Sequence, residues 1–439
     1  MKTINWKTLI TSSFAAALSL SVLNAAPLTA GAEELSVEAE SAVLVDFDTG
    51  QILHDQSADE PRGIASMTKM LVEYILFEEI EAGKLDWDSE ITISEYAHNI
   101  SQNYALSNVP LRLGDTYTVQ ELYESLAIYS ANGATIALAE EIEGSEHAFV
   151  DRMRELVESW GITDYQLYNT TGLNNSFLLG NHYPGSAEDA ENIMAARDIA
   201  IVSRELIADF PEVLETSSVP TMTFREGTPD AINMMNWNWM LEGLSHARSD
   251  VDGLKTGTTS FAGATFTGTA EQDGRRLISV VMGAGDGFTN RGQRFDETSR
   301  LLDHGFDGFT RETIVGEEHT LDQEHNLPVR NGLEESVSLV TTESLEFYLP
   351  EGADLDHYAY TFVPNEEKLN QDGEIEAPIS VGESLGELVV ENAEDVDFLS
   401  GEQFGAINVA AAESVERAGF FTVFTNWMSD IFGGIRDRF

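Results

Sequence analysis

Strand-like segments lie at both ends of a long helical stretch, and this order limits the possible folds more than any other feature of the chain. Residues 42–45 and 51–54 predict a first pair of strands, and residues 264–270 and 277–282 predict a second pair. The sequence between them has mainly helical periodicity. We therefore expect one mixed α/β (α+β) domain over residues 33–309, with a sheet built from distant parts of the chain and a helical subdomain beside it.

The C-terminal third of the chain has a different pattern. Residues 310–405 contain short strand-like pieces separated by acidic turns, which predicts a smaller all-β domain. Residues 406–439 predict a linker and, from about residue 415, an amphipathic helix. This helix could pack on its own protein or on a partner, but we favour a position in a membrane surface. Its apolar face contains Phe420, Phe424, Trp427, Met428, Ile431, Ile435 and Phe439.

The N-terminus has the composition of a secretory signal peptide. Lys2 and Lys7 supply positive charge, residues 9–23 are apolar and rich in small residues, and Ala30-Gly31-Ala32 is a suitable cleavage site. We therefore predict a signal peptide over residues 1–32 and an exported protein. The chain contains no cysteine, so neither disulfides nor thiol chemistry are available to it.

The formal net charge of -52 excludes one large class of partners. Nucleic-acid binding needs Lys and Arg surfaces that neutralise phosphates, and this chain has few of either residue. The acidic residues are spread through periodic sequence, which indicates an acid-coated globular surface. Such a surface suits a salty external medium, because salt screens the repulsion between like charges.

A serine and a lysine lie three residues apart at the start of a strongly apolar helical segment. The spacing of Ser66 and Lys69 puts both side chains on one face of a helix. A serine hydroxyl becomes a good nucleophile when a base removes its proton, and a lysine can be that base if burial lowers its pKa. The pattern alone is common, and a capped helix with a surface lysine is the alternative.

Two further motifs favour the catalytic interpretation of Ser66 and Lys69. The first lies in a loop between two predicted helices, and the second lies on a predicted strand. Each of the three motifs is weak alone, but their order and their helix, loop and strand contexts together are typical of serine β-lactamases and penicillin-binding proteins. The three motifs are Ser66-x-x-Lys69, Ser130-Ala131-Asn132 and Lys255-Thr256-Gly257.

With these motifs the chain closely resembles the low-molecular-mass penicillin-binding proteins that are D-alanyl-D-alanine carboxypeptidases. Segments 169–174, 196–198 and 252–259 also resemble that family, and the likeness extends over nearly all of the predicted mature chain. The resemblance implies a serine β-lactamase/transpeptidase-like catalytic domain. It also implies removal of the terminal D-alanine from peptidoglycan stem pentapeptides through an acyl-enzyme, with β-lactams as inhibitors.

The resemblance implies roles for individual residues. Ser66 would attack the carbonyl between the two D-alanines, Lys69 would accept its proton, and Ser130 would relay a proton to the departing amine. Trp237 stands where some relatives have an arginine, so one substrate-side cation would be missing. The implied substrate-binding residues are Asn132, Lys255, Thr256, Gly257, Thr258 and Arg294.

Two alternatives remain at this point. A β-lactamase would use the same nucleophile but would hydrolyse its acyl-enzyme quickly, and a non-catalytic wall-binding or penicillin-sensing protein would not react at all. The histidines lack the spacing of metal ligands, so we expect no metal and no cofactor. The expected location is the outer face of the cytoplasmic membrane or the cell wall.

Overall fold

The computed structural model describes residues 35–390, 396–399, 406–421 and 423–424. The predicted signal peptide, 1–32, and most of the predicted amphipathic helix, 425–439, lie outside the described residues. Within the described part of the chain, no helix is both long enough and apolar enough to cross a bilayer.

Strands from both ends of the N-terminal part meet in one antiparallel arrangement, as the sequence predicts. The sheet contains β1 Ser41–Asp46, β2 Gln51–Gln56, β9 Val251–Thr259, β10 Gly263–Gln272 and β11 Arg275–Met282. Six shorter strands pair two by two outside it: β3 Arg62–Gly63 with β6 Ile193–Met194, β4 Glu90–Thr92 with β5 Thr116–Thr118, and β7 Thr221–Phe224 with β8 Ile232–Met235. Strand β1 pairs with β11 from Ser41 opposite Met282 to Asp46 opposite Leu277. The predicted α+β fold class is confirmed.

Helices cover both faces of this sheet. The helices are α1 Lys69–Glu81, α2 Glu95–Ser101, α3 Val119–Tyr129, α4 Asn132–Glu143, α5 Glu146–Ser159, α6 Ala196–Asp209, α7 Val213–Ser217 and α8 Gln293–Gly308. Val43 and Val45 of β1 belong to a core shared with α1 and α6, whereas Ala42 and Leu44 belong to a core shared with α8. Successive side chains of a strand point to opposite faces, so all of β1 is buried.

Helix α1 is buried inside the helical layer. Its residues are apolar on nearly all sides, and it packs against α4, α5 and α6. A helix that is apolar all round belongs in a protein interior. Its first residue, Lys69, is therefore buried as well, with 0% of its surface exposed.

Ser66 lies in a 3-10 turn, Ala65–Thr68, immediately before α1. The sequence places Ser66 and Lys69 on one α-helix, but the α-helix begins only at Lys69. The two side chains still lie on the same side of the chain, because side chains three residues apart eclipse each other in a 3-10 turn.

The C-terminal region has its own strands and its own apolar core. The strands are β12 Phe309–Val315, β13 Leu327–Arg330, β14 Ser336–Val337, β15 Leu339–Thr341, β16 Leu345–Pro350, β17 Tyr360–Pro364, β18 Ile375–Glu376, β19 Ser384–Val390, β20 Asp397–Phe398 and β21 Ala406–Ala411. Strands β15, β21, β19 and β17 form one sheet in that order.

The linker predicted from residue 406 begins later in the structure. Strand β21 pairs with both β15 and β19 and supplies buried residues to the core, so its backbone is part of the sheet. Val415 forms a further bridge with Ile379, and the described helical residues begin at Phe420 instead of residue 415.

Strand β20 leaves the C-terminal region and joins the N-terminal sheet. It pairs with β2, so the sheet has the strand order β20, β2, β1, β11, β10, β9. The Gln51 side chain donates to the Tyr348 carbonyl at 2.7 Å and accepts from the Tyr348 N–H at 2.9 Å. The two regions are thus joined by backbone pairing as well as by side chains.

Candidate active site

The structure brings Ser66 and Lys69 into direct contact. Lys69 Nζ lies 2.9 Å from Ser66 Oγ, 2.9 Å from Asn132 Oδ1 and 2.7 Å from the Thr171 carbonyl. Burial, and then the nearby charge of Lys255, hold the pKa of Lys69 well below its ordinary value. A buried amine with these three neighbours can exchange a proton with the serine hydroxyl.

The turn between α3 and α4 presents Ser130 and Asn132. Ser130 ends α3 with φ of +58°, and α4 begins at Asn132. The Asn132 Nδ2 donates to the Ser107 carbonyl at 2.9 Å, which fixes the amide so that Oδ1 points at Lys69. One sharp turn therefore places a hydroxyl and an amide oxygen at the same site.

Strand β9 supplies Lys255 beside the loop serine. Lys255 Nζ donates to Ser130 Oγ at 2.9 Å, and only 3% of the residue is exposed. Burial lowers the pKa of Lys255, and the nearby Arg294 lowers it further, whereas Glu73 opposes the shift. The ammonium orients the hydroxyl oxygen, which leaves the Ser130 O–H free to donate to another group.

The next residues of β9 are packed against the turn that carries Ser66. A Cβ on Gly257 would lie 2.4 Å from Thr265 Oγ1 and 2.8 Å from the Ile64 carbonyl, so only glycine fits there. Arg294 Nη1 donates to the Gly257 carbonyl at 2.8 Å and to Thr258 Oγ1 at 3.0 Å. Arg294 therefore supports β9 from behind.

These groups meet in a cleft of about 570 Å³. Its walls include the two serines, the β9 residues that follow Lys255, and aromatic side chains. The lining includes Ser66, Ser130, Thr256, Gly257, Thr258, Tyr104, Tyr129, Trp237, Phe288, Arg291 and Arg294. A cleft of this size with several convergent polar groups fits an extended peptide end.

Comparison with known proteins agrees with this geometry. The family model described as D-alanyl-D-alanine carboxypeptidase, peptidase S11, matches residues 28–286. The chain belongs to this family.

Curated and solved relatives give the same assignment. The chain is 29% identical over 397 residues to D-alanyl-D-alanine carboxypeptidase DacF of Bacillus subtilis, an alignment that covers 90% of this chain and 91% of the relative. The crystal structure of a peptidoglycan synthesis regulatory factor (PBP3) from Streptococcus pneumoniae matches with a TM-score of 0.70 and 36% identity, covering 87% of this chain and 100% of that one. The ampicillin-bound penicillin-binding protein D2 of Listeria monocytogenes matches with a TM-score of 0.51 and 28% identity, covering 63% of this chain and 100% of that one.

Family membership confirms the predicted activity class, a serine-type D-alanyl-D-alanine carboxypeptidase. All of the predicted site residues lie at the cleft or directly behind it. Ser66, Ser130, Thr256, Gly257, Thr258 and Arg294 line the cleft, and Lys69, Asn132 and Lys255 contact those lining residues or one another. In the described part of this carboxypeptidase, no group of three His, Asp or Glu side chains is placed to hold a metal ion.

Trp237 is part of the cleft wall of the carboxypeptidase. Its Nε1 donates to Ser107 Oγ at 2.8 Å and to the Tyr129 carbonyl at 3.1 Å, and its ring stacks on Tyr129. Two hydrogen bonds to neutral groups and the stacking on Tyr129 thus hold the indole in place.

Sequence reasoning missed the role of the Thr171 carbonyl. The Asn169 Oδ1 accepts from the backbone N–H groups of Thr171 and Gly172, and this turn holds the carbonyl against Lys69. A backbone carbonyl leaves no direct mark in a sequence. The turn-rich segment 169–174 was the one available signal.

Glu73 is the second feature that sequence reasoning missed. It lies on α1, four residues after Lys69, with only 2% of its surface exposed. Burial raises its pKa, and the charges of Lys255 and Lys69 oppose that shift. Glu73 is the single charged residue of the apolar run 70–77, which is the sequence signal for a buried charge beside the lysines.

Proposed function

We propose that Ser66 is the nucleophile of this D-alanyl-D-alanine carboxypeptidase and that Lys69 is its general base. The observation that carries this proposal is the 2.9 Å contact between Lys69 Nζ and Ser66 Oγ, made by a lysine that is wholly buried. The lowered pKa of Lys69 favours the neutral amine that a general base requires.

A neutral lysine amine has two N–H donors and one lone pair. The Asn132 Oδ1 and the Thr171 carbonyl accept the two N–H groups, which aims the lone pair at Ser66 Oγ. The serine hydroxyl then donates to Nζ, and its oxygen attacks the carbonyl between the two D-alanines as the proton moves to the amine.

Ser130 donates its proton to the departing D-alanine amine and takes up in exchange the proton that Lys69 received from Ser66. Lys255 donates to the Ser130 oxygen, so the Ser130 hydrogen can point to the leaving nitrogen. Breaking of the C–N bond leaves the acyl group on Ser66 and releases D-alanine. Water then attacks the acyl-enzyme and regenerates the free hydroxyl.

Strand β9 and its neighbours bind the peptide. We assign the terminal carboxylate to Lys255 and Thr256, because a charge-assisted bond there selects substrates with a free C-terminus. The backbone N–H groups of Ser66 and Thr258 form the oxyanion hole. The free edge of β9 pairs with the extended peptide backbone.

The substrate is the peptidoglycan stem pentapeptide, and penicillin acylates the same serine. We expect the purified protein to release D-alanine from a synthetic acyl-D-Ala-D-Ala peptide, and penicillin to stop that release. Mass spectrometry will follow the lifetime of the penicilloyl-enzyme. A complex that outlasts many peptide turnovers is expected, whereas rapid hydrolysis of penicillin without loss of activity would indicate a β-lactamase.

We infer that the protein acts outside the cytoplasm and attaches to the membrane through residues 420–439. Arg417 bridges to Gly332, so truncation after Gly419 leaves the C-terminal sheets intact. The truncated protein is expected to remain in the supernatant when sedimented with lipid vesicles, and the protein that retains these residues is expected to pellet. Equal pelleting of both proteins would contradict this inference, and unchanged thermal unfolding of the truncated protein is the control.

A further inference from the structure

The cations of this very acidic protein divide into two groups. Most of the described lysines and arginines have a carboxylate oxygen within 3.9 Å, including those at the protein surface. Within the described residues, the cations without such a partner are Lys69, Lys255, Arg291 and Arg294. Arg291 and Arg294 line the cleft, and the two lysines contact the serines that line it.

Arg291 differs from the other three cations because its charge is still available. Arg294 is 1% exposed and its Nη1 has three backbone or hydroxyl acceptors, and both lysines are buried and hydrogen-bonded. Arg291 is only half-buried, and among the described residues its guanidinium has one hydrogen bond, from Nε to the Gly287 carbonyl at 3.1 Å. Its two Nη groups can therefore bind a carboxylate side by side.

Two neighbours place this guanidinium at the cleft. Its central carbon lies 5.7 Å from the centre of the Trp237 ring, a distance at which a cation is attracted to an aromatic face. Arg294 lines the same cleft, and burial and then the charge of Arg291 lower the pKa of Arg294 to about 9. Two adjacent cations repel each other unless an anion lies between them.

We propose that Arg291 joins Lys255 and Thr256 in binding the free carboxylate of the departing D-alanine, with the Trp237 ring as its platform. This inference rests on the proposed function. Some relatives have an arginine in place of Trp237. Arg291 supplies that substrate-side positive charge from a different position in the sequence. The chain has a formal net charge of -52, so a local pair of arginines also offsets the repulsion of an anionic peptide.

The test compares two thioesters of one acyl-D-alanine. The thioglycolate ester keeps a carboxylate on its leaving group, and the mercaptoethanol ester has a hydroxyl in its place. For Arg291→Gln, kcat/KM on the thioglycolate ester is expected to fall about 10- to 100-fold, the size of a lost charge-assisted bond, with a change within about threefold on the mercaptoethanol ester. Arg291→Lys is expected to retain part of the preference, because it keeps the charge but not the paired donors.

Arg311→Gln is the matched control for net charge. Arg311 is exposed, lies on β12 and pairs with Glu346 away from the cleft lining, so its loss is expected to change neither rate. Equal losses of Arg291→Gln on both esters, or no loss on either, would overturn the assignment of Arg291 while leaving the proposed function standing. Failure of the unmodified protein to hydrolyse either ester would overturn both.

Discussion

The Ser66→Ala protein is expected to release D-alanine at least about 10⁴-fold more slowly than the unmodified protein, which is the order of loss when a serine nucleophile is removed. The remaining groups can still bind peptide, but the hydroxyl that lies 2.9 Å from Lys69 Nζ and forms the ester is gone. Release of D-alanine from a synthetic acyl-D-Ala-D-Ala peptide measures the loss. Covalent labelling by penicillin, followed by mass spectrometry, is expected to disappear with it.

A measurement of folding stability is the control for Ser66→Ala. Ser66 is half-buried at an open cleft, so removal of its hydroxyl is expected to change the free energy of unfolding by less than about 1 kcal/mol. Ser176→Ala is a matched variant, because Ser176 is exposed and does not line the cleft. It is expected to retain both activity and labelling. Continued release of D-alanine by the Ser66→Ala protein would disprove Ser66 as the nucleophile.

The Gly172→Ala protein is expected to lose both stability and activity. Gly172 has φ of +72°, and a Cβ there would lie 1.7 Å from the Ala65 carbonyl oxygen, which is backbone and cannot swing away. The 169–174 turn must therefore move away from the Ser66 turn. We expect a loss of about 3 kcal/mol or more in the free energy of unfolding, measured with denaturant, because backbone strain and overpacking add.

The Gly172→Ala substitution is also expected to slow the reaction at Ser66. Moving this turn displaces the Thr171 carbonyl from Lys69 Nζ, so acylation by penicillin is expected to slow even at temperatures where the variant is fully folded. Gly114→Ala is the matched control, since Gly114 has φ of +75° but nothing within 4 Å of the added methyl group. It is expected to cost only about 1 kcal/mol. Equal destabilisation by both variants would mean that the turn relaxes without moving the carbonyl.

The sheet and the reacting side chains could be predicted from the sequence because both depend on local patterns. Strand periodicity at residues 42–45 and 277–282 marks segments that can pair only with distant partners, and β1 and β11 do pair. The spacing of Ser66 and Lys69 brings them together in either helix type. Their setting in known motifs then indicated the loop and strand that complete the site.

Other parts of the site depend on tertiary contacts that leave weak sequence signals. The Thr171 carbonyl reaches Lys69 because Gly172 permits close approach of two loops, and close approach is a property of the folded chain. The sequence predicts a linker where β21 lies, because a short apolar run has the same appearance in a strand and in a connecting segment. Arg291 stands out only when the partners of the other arginines are known.

The pairing of β20 with β2 also limits aggregation through the edge of the sheet. A sheet of this kind has two borders, and each offers unpaired N–H and C=O groups on which another copy of the chain could add a strand. At one border the chain folds back and covers β2 with Asp397–Phe398, while β9 forms the other border, beside the cleft. This acidic enzyme can thus leave the border beside the cleft open and cover part of the other border against aggregation.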